Sequence, residues 1–166
     1  MSSLLTRRSI TKKTPTQEDF PRFHVRSGGV AGSYFTETRH PAGYRIPRHA
    51  HEMTSLYPVL RGSLTEQFDR ENVERKTDEL IFTPPDAPRS NVFLGRGGSC
   101  LIVELNPMVI SRTVECGKLP NSLKSFRGQP AWLANRLYKE FCCSDAFSPL
   151  VVEGLVLEII GASRKL

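Results

Sequence analysis

From Phe23 to about Leu105 the chain alternates apolar and polar residues with the two-residue period of a β-strand. Phe23-His24-Val25 and Ser33-Tyr34-Phe35-Thr36-Glu37-Thr38 alternate in this way, with the turn residues Gly28-Gly29 and Gly32 beside them. Met53 to Leu60 and Ser63 to Phe68 read as two strands reversed about a turn at Arg61-Gly62. In the second of these, Leu64, Glu66 and Phe68 share a face. Asp69 to Asp78 is a charged hairpin with its flanks. Glu79-Leu80-Ile81-Phe82-Thr83 is a short buried strand, ended by Pro84-Pro85 because proline cannot donate to a ladder. Arg89 to Leu94 follows, then the turn Gly95-Arg96-Gly97-Gly98. Ser99 to Leu105 contains the run CLIVEL, which suits a strand buried on both faces. Short strands at regular spacing with Gly and Pro turns predict a mainly β sandwich or barrel.

Beyond Pro107 the period changes. Leu119 to Gly128 reads as a connector. Gln129 to Cys142 is helical, with Trp132, Leu133, Arg136, Leu137, Glu140 and Phe141 at three- and four-residue spacings. Ser144 and Asp145 end that helix. Ser148-Pro149 opens a second, with Ser at the N-cap and Pro at N1. Its run LVVEGLVLEII is apolar on most sides, so it needs partners on more than one side. The pattern therefore predicts a β-barrel followed by two C-terminal α-helices.

A length of 166 residues and an apolar fraction of 39% suit one domain with a helical appendage. The expected division is a flexible basic arm over 1–20, a barrel over 21–107, and a connector with two dimerising helices over 108–166. In the arm and the residues just after it, Arg7, Arg8, Lys12, Lys13, Arg22 and Arg26 face only Glu18 and Asp19, within a net charge of +6. Such an arm can touch phosphate, but it has no aromatic interleaving and no element shaped to enter a groove. No apolar run is long enough to cross a bilayer, and the first residues lack the apolar core of a secretory signal. The expectation is a cytoplasmic protein without a membrane partner. Cys100, Cys116, Cys142 and Cys143 have no C-x2-C spacing and are expected to be reduced thiols.

The chemistry concentrates in Gly43 to Gly62, GYRIPRHAHEMTSLYPVLRG. On an extended segment His49 and His51 project from one face, and the same parity carries Met53, Ser55, Tyr57 and Val59. This stretch resembles the first motif of the cupins, G-x5-H-x-H-x3,4-E-x6-G. Gly43, His49, His51 and Gly62 match it, while Ser55 stands in place of the glutamate. In the second cupin motif only Pro84 keeps its place; Arg89 occupies the position of the third histidine, and Asn91 comes earlier than the pattern's asparagine. The resemblance implies a double-stranded β-barrel, or jelly roll, with His49, His51, Ser55, Tyr57, Arg89 and Asn91 as candidate ligand-binding residues. It also implies a metal held by His49 and His51. A guanidinium offers only donors and repels a cation, so no cofactor is assigned, and a divalent metal stays as the alternative. Directed inward, Arg89 suits a carboxylate, phosphate or other small anion; directed outward, it pairs with an acid such as Asp86. No nucleophile with an orienting acid is evident, so no catalytic residue is named and the chain reads as an enzyme less readily than as a binder.

The helical end narrows the resemblance. Ser125-Phe126-Arg127-Gly128, Leu137-Tyr138-Lys139-Glu140-Phe141, Ser148-Pro149-Leu150 and Glu153-Gly154-Leu155-Val156-Leu157-Glu158 resemble the end of the sensor domain in AraC-type transcription regulators. That resemblance implies a small-molecule effector in the barrel and a homodimer through the helices, with Val152, Leu155, Val156 and Ile159 at the interface. It implies DNA binding only through a C-terminal helix-turn-helix domain, which is absent from this chain. A stand-alone metal-dependent cupin oxygenase or isomerase is the second reading, and a structural barrel with an unused cavity the third.

Overall fold

In a computed structural model, residues 23–163 are described. They form eight strands, β1 (His24–Val30), β2 (Ser33–His40), β3 (Arg45–His49), β4 (Ser55–Phe68), β5 (Glu71–Arg75), β6 (Leu80–Thr83), β7 (Arg89–Glu104) and β8 (Lys124–Phe126). Three helices accompany them, α1 (Pro107–Cys116), α2 (Gln129–Cys142) and α3 (Ser148–Ser163). The basic arm expected over 1–20 lies outside the described residues. Every pairing is antiparallel, in the order β1-β2-β7-β4-β6-β8, with β3 added to β7 and β5 to β4. The protein is mainly β, a jelly-roll sheet with helices behind it.

The long strands β4 and β7 make the barrel. The expected reversal at Arg61-Gly62 does not occur, nor does the turn at Gly95 to Gly98; both stretches lie inside continuous strands. Gly62, Gly95 and Gly97 have φ of 71°, 54° and 86°, and the β4–β7 register slips on either side of Gly62. Here the glycines bend and twist a strand without ending it. A Cβ on Gly62 would collide with the Gly97 carbonyl, so this crossing accepts only glycine. Because of the bend, one half of β7 pairs with β2 and the other with β3, and β4 spans both halves.

Side chains alternate between two cores. Tyr57, Val59, Leu64, Ile81, Phe93 and Cys100 fill the barrel interior. Leu56, Leu80, Phe82, Leu101 and Val103 point to the other face, where Leu133, Leu137, Val152, Val156 and Ile159 of α2 and α3 cover them. CLIVEL is thus buried on both faces, as its composition requires.

The α2 limits match the periodicity, and α3 begins at Ser148. Its cap differs from the expectation: the Asp145 carboxylate accepts the Phe147 and Ser148 amides, while Ser148 Oγ donates to Glu140 Oε1 at 2.5 Å. Two elements are additional. α1 begins on Pro107 with Asn106 as N-cap, its side chain accepting from the Met108 amide at 2.9 Å. β8 adds Phe126 to the sheet edge beside β6.

The four residues expected at a dimer interface, Val152, Leu155, Val156 and Ile159, are at most 5% exposed. They face α2 and the sheet, so they present no surface to a second copy. The barrel itself supplies the partners that the all-round apolar helix requires. The outward apolar residues on α3 are instead Leu150, 72% exposed, and Val151, 37% exposed.

Candidate functional site

The inner cavity of the barrel is small, about 40 Å³, and is walled by His49, His51, Tyr57, Arg89 and Asn91 together with apolar neighbours such as Phe93. Five of the six candidate ligand residues thus converge. Ser55 does not. It is fully buried opposite Thr83 and Glu104 in the ladder and lies off the cavity, its hydroxyl without a partner among the described residues.

His49 ends β3, whereas His51 lies in the following loop, so the two do not share a strand as parity suggested. The loop still brings their rings to 5.4 Å, edge to face. His49 Nδ1 lies 2.9 Å from the Pro47 carbonyl and His51 Nδ1 lies 3.3 Å from Glu104 Oε1. A carbonyl or carboxylate only accepts, so each Nδ1 carries the proton of its contact, and in the neutral His49 ring Nε2 is left as an acceptor. Burial, and then the nearby Arg89 charge, pull His49 down from 6.5 to about 4, against the opposing Pro47 hydrogen bond. His49 is therefore neutral at pH 7.

Arg89 lies inside the barrel, 3% exposed, on a strand paired with both His49 and Phe68. It does not take the outward course toward Asp86. Its guanidinium sits 4.8 Å from the centre of the Tyr57 ring, and its Nε is 3.7 Å from Glu66 Oε1. Its Nη1 is buried without a hydrogen-bond partner among the described residues.

Glu66 is the residue that sequence reasoning missed. It is fully buried, accepts from the Tyr57 hydroxyl at 2.6 Å and from Arg75 Nε at 2.8 Å, and is the acid nearest Arg89. Arg75 continues the network to Glu79 at 3.7 Å, and Glu79 accepts from Arg127 at 2.6 Å. Burial together with the Glu66 charge holds the Tyr57 hydroxyl well above its usual range, so it is a donor and not an anion. The available signal was parity: Glu66 shares a face with Leu64, which turns out to be the inner one.

The donor set does not fit the metal that a cupin barrel implies. Two imidazoles are present, but Arg89 and Ser55 occupy the other ligand positions and Glu104 is engaged with His51 Nδ1. No cluster of three or more His, Cys, Asp or Glu side chains placed to hold a metal occurs among the described residues. A fixed guanidinium beside His49 opposes a cation. What the cavity offers is one cationic donor and two imidazoles.

Compared by sequence, the chain matches no known family model and no curated protein. Compared by structure, it is similar to apo ToxT K231A from Vibrio cholerae, with a TM-score of 0.66 over 84% of this chain at 9% identity. It is also similar to the AraC-like transcriptional activator CuxR, with a TM-score of 0.55 over 81% of this chain at 13% identity. The fold is similar to that of part of each of these two chains. The match includes the helices as well as the barrel, as coverage above four-fifths of the chain requires. The chain spans 58% of the length of the ToxT chain and 54% of the CuxR chain. No helix among the described residues is long and apolar enough to cross a membrane.

Proposed function

We propose that this chain is the small-molecule-sensing and dimerisation part of an AraC-type transcriptional regulator, with a small anionic or polar organic ligand in the barrel. One observation carries the ligand reading: a buried Arg89 whose Nη1 lacks a hydrogen-bond partner among the described residues, in the wall of a cavity that His49 and His51 also line. A desolvated guanidinium with an open donor gains a strong hydrogen bond from a carboxylate. The His49 acceptor favours a ligand that also carries an O–H or N–H.

Size limits the choice. At about 40 Å³ the cavity has room for roughly three waters. Drug-sized ligands need about 300 Å³ or more. A hydroxy acid of a few heavy atoms fits; a sugar or an aromatic acid requires the barrel to open. Glycolate at roughly 10 mM is expected to raise the melting temperature of the wild type and to leave Arg89→Gln unshifted. Equal shifts in both proteins, or none in either with formate, acetate and glycolate, would sink the reading. A metal-dependent cupin enzyme remains the runner-up, but no acid in the cavity is free to complete its ligand set.

The dimer reading moves to a different surface. Met108 of α1 and Leu150 of α3 are 73% and 72% exposed and line one shallow cleft, beside the Arg112–Glu153 pair at 2.8 Å. Phe147, 70% exposed, lies just before α3. An apolar patch of this kind on a surface marks a contact, and a two-fold axis would bury each residue twice. Leu150→Glu should yield a folded monomer by sedimentation, whereas Val152→Glu should unfold the chain. A wild type that is already monomeric at high micromolar concentration ends the proposal.

A further inference from the structure

A second concavity that bears charge lies apart from the inner cavity. It is an open groove of about 730 Å³ at one end of the barrel, where the bends of β4 and β7 meet the ends of β1 and β2. Three arginines from three strands line it: Arg39 at the end of β2, Arg61 in the bend of β4 and Arg96 in the bend of β7. All three are exposed. None makes an ion pair among the described residues, and no Asp or Glu is among the described residues of the lining.

The backbone explains why this place is concave. Gly62, Gly97 and Gly98 form part of the wall. A side chain on Gly97 would collide with the His40 carbonyl, and one on Gly98 with the Arg61 carbonyl. Two strands and the β2 end are packed there backbone to backbone, which leaves a floor without side chains between the guanidiniums. His40 closes the inner wall. It is 2% exposed, stacked on Phe93 at 4.4 Å and on Tyr44 at 5.0 Å, and its Nδ1 has no partner among the described residues. Phe93 lines the inner cavity while His40 lines the groove, so this ring stack separates the two.

We infer that this groove is a second anion site, built for a small molecule that carries phosphate or pyrophosphate. Planar guanidiniums bind phosphate oxygens two at a time, and arginines from three separate strands line one hollow. The volume lies within the range of small-ligand sites, about 300–1,000 Å³, unlike that of the inner cavity. A concave hollow with a bare floor suits a compact ligand. Duplex DNA would instead need an element that projects into its groove.

The test uses the full chain and titrates inorganic pyrophosphate and ADP by calorimetry at low ionic strength. Saturable binding near one per chain is expected. Arg61→Ala and Arg96→Ala should each weaken it about tenfold, the worth of a charged hydrogen bond. Both side chains are exposed, so the variants should melt with the wild type. Arg70→Ala, which removes an exposed guanidinium outside the linings of the groove and of the inner cavity, should leave pyrophosphate binding unchanged. Absence of saturable binding overturns the site, as does wild-type affinity in both groove variants, which would move the binding to other basic residues. A random DNA duplex that displaces pyrophosphate at stoichiometric concentration would also overturn it, since the surface would then be a polyanion surface.

Discussion

Glu66→Ala is expected to destabilise the fold by about 3–5 kcal/mol, the usual cost of removing one partner from a buried ion pair. The carboxylate is fully buried and takes hydrogen bonds from Tyr57 and Arg75, while Arg89 lies 3.7 Å away. Its loss leaves the Tyr57 hydroxyl without an acceptor and Arg89 without its nearest negative charge. Arg75 suffers less, because Glu79 Oε2 stands 3.7 Å from its Nη1. Glu66→Gln separates the contributions, since an amide oxygen still accepts from Tyr57 but neutralises nothing. Urea unfolding should place Gln between wild type and Ala. Combining Glu66→Gln with Arg75→Met should cost less than the sum of the single changes, because the two side chains interact directly. Strict additivity, or a loss under about 1 kcal/mol for Glu66→Ala, would mean that the pair is solvated and does not hold the barrel together.

The same carboxylate marks the limit of what the sequence disclosed. Strand texture and the helix limits of α2 were legible because periods of two and three to four depend only on local order. The positions of His49, His51, Tyr57, Arg89 and Asn91 were legible because the cupin-like spacing brings them to one end of paired strands. Ser55 was misplaced although it shares the parity of Tyr57 and Val59, because it stands at the first residue of β4, off the cavity that Tyr57 lines. Arg61-Gly62 and Gly95 to Gly98 were read as reversals because glycine at positive φ serves a turn and a strand bend equally well. The Glu66–Arg89 proximity was not legible, since it depends on the β4–β7 register, in which Glu66 faces Asn91 and Phe68 faces Arg89. The burial of Val152, Leu155, Val156 and Ile159 was equally hidden. An all-round apolar helix states that partners exist, not whether they belong to the same chain.

Stability is expected to fall as pH drops from about 6.5 to about 4, before general acid unfolding. His40 and His49 are each pulled down from 6.5 to about 4, His40 by burial and His49 by burial and then the Arg89 charge. Both rings are neutral in the fold, so above pH 6.5 neither state takes up a proton at these positions and their effect is flat. Below it the unfolded chain gains protons that the folded chain refuses. The equilibrium then shifts toward unfolding by about 1.4 kcal/mol per pH unit for each ring. Over the window that approaches roughly 3 kcal/mol per ring, with His49 contributing less because it is only half-buried and water screens part of its charge. His40 is the larger lever, enclosed by Phe23, Tyr44 and Phe93 with no acid in contact among the described residues. His40→Gln should lower stability at pH 7 through lost packing yet flatten the pH slope, which a purely structural change would not do. Denaturant unfolding at several pH values between 7 and 4 measures that slope. If His40→Gln and His49→Gln both keep the wild-type slope, the two rings are already solvated in the fold and the barrel end is open where these packed rings require it to be closed.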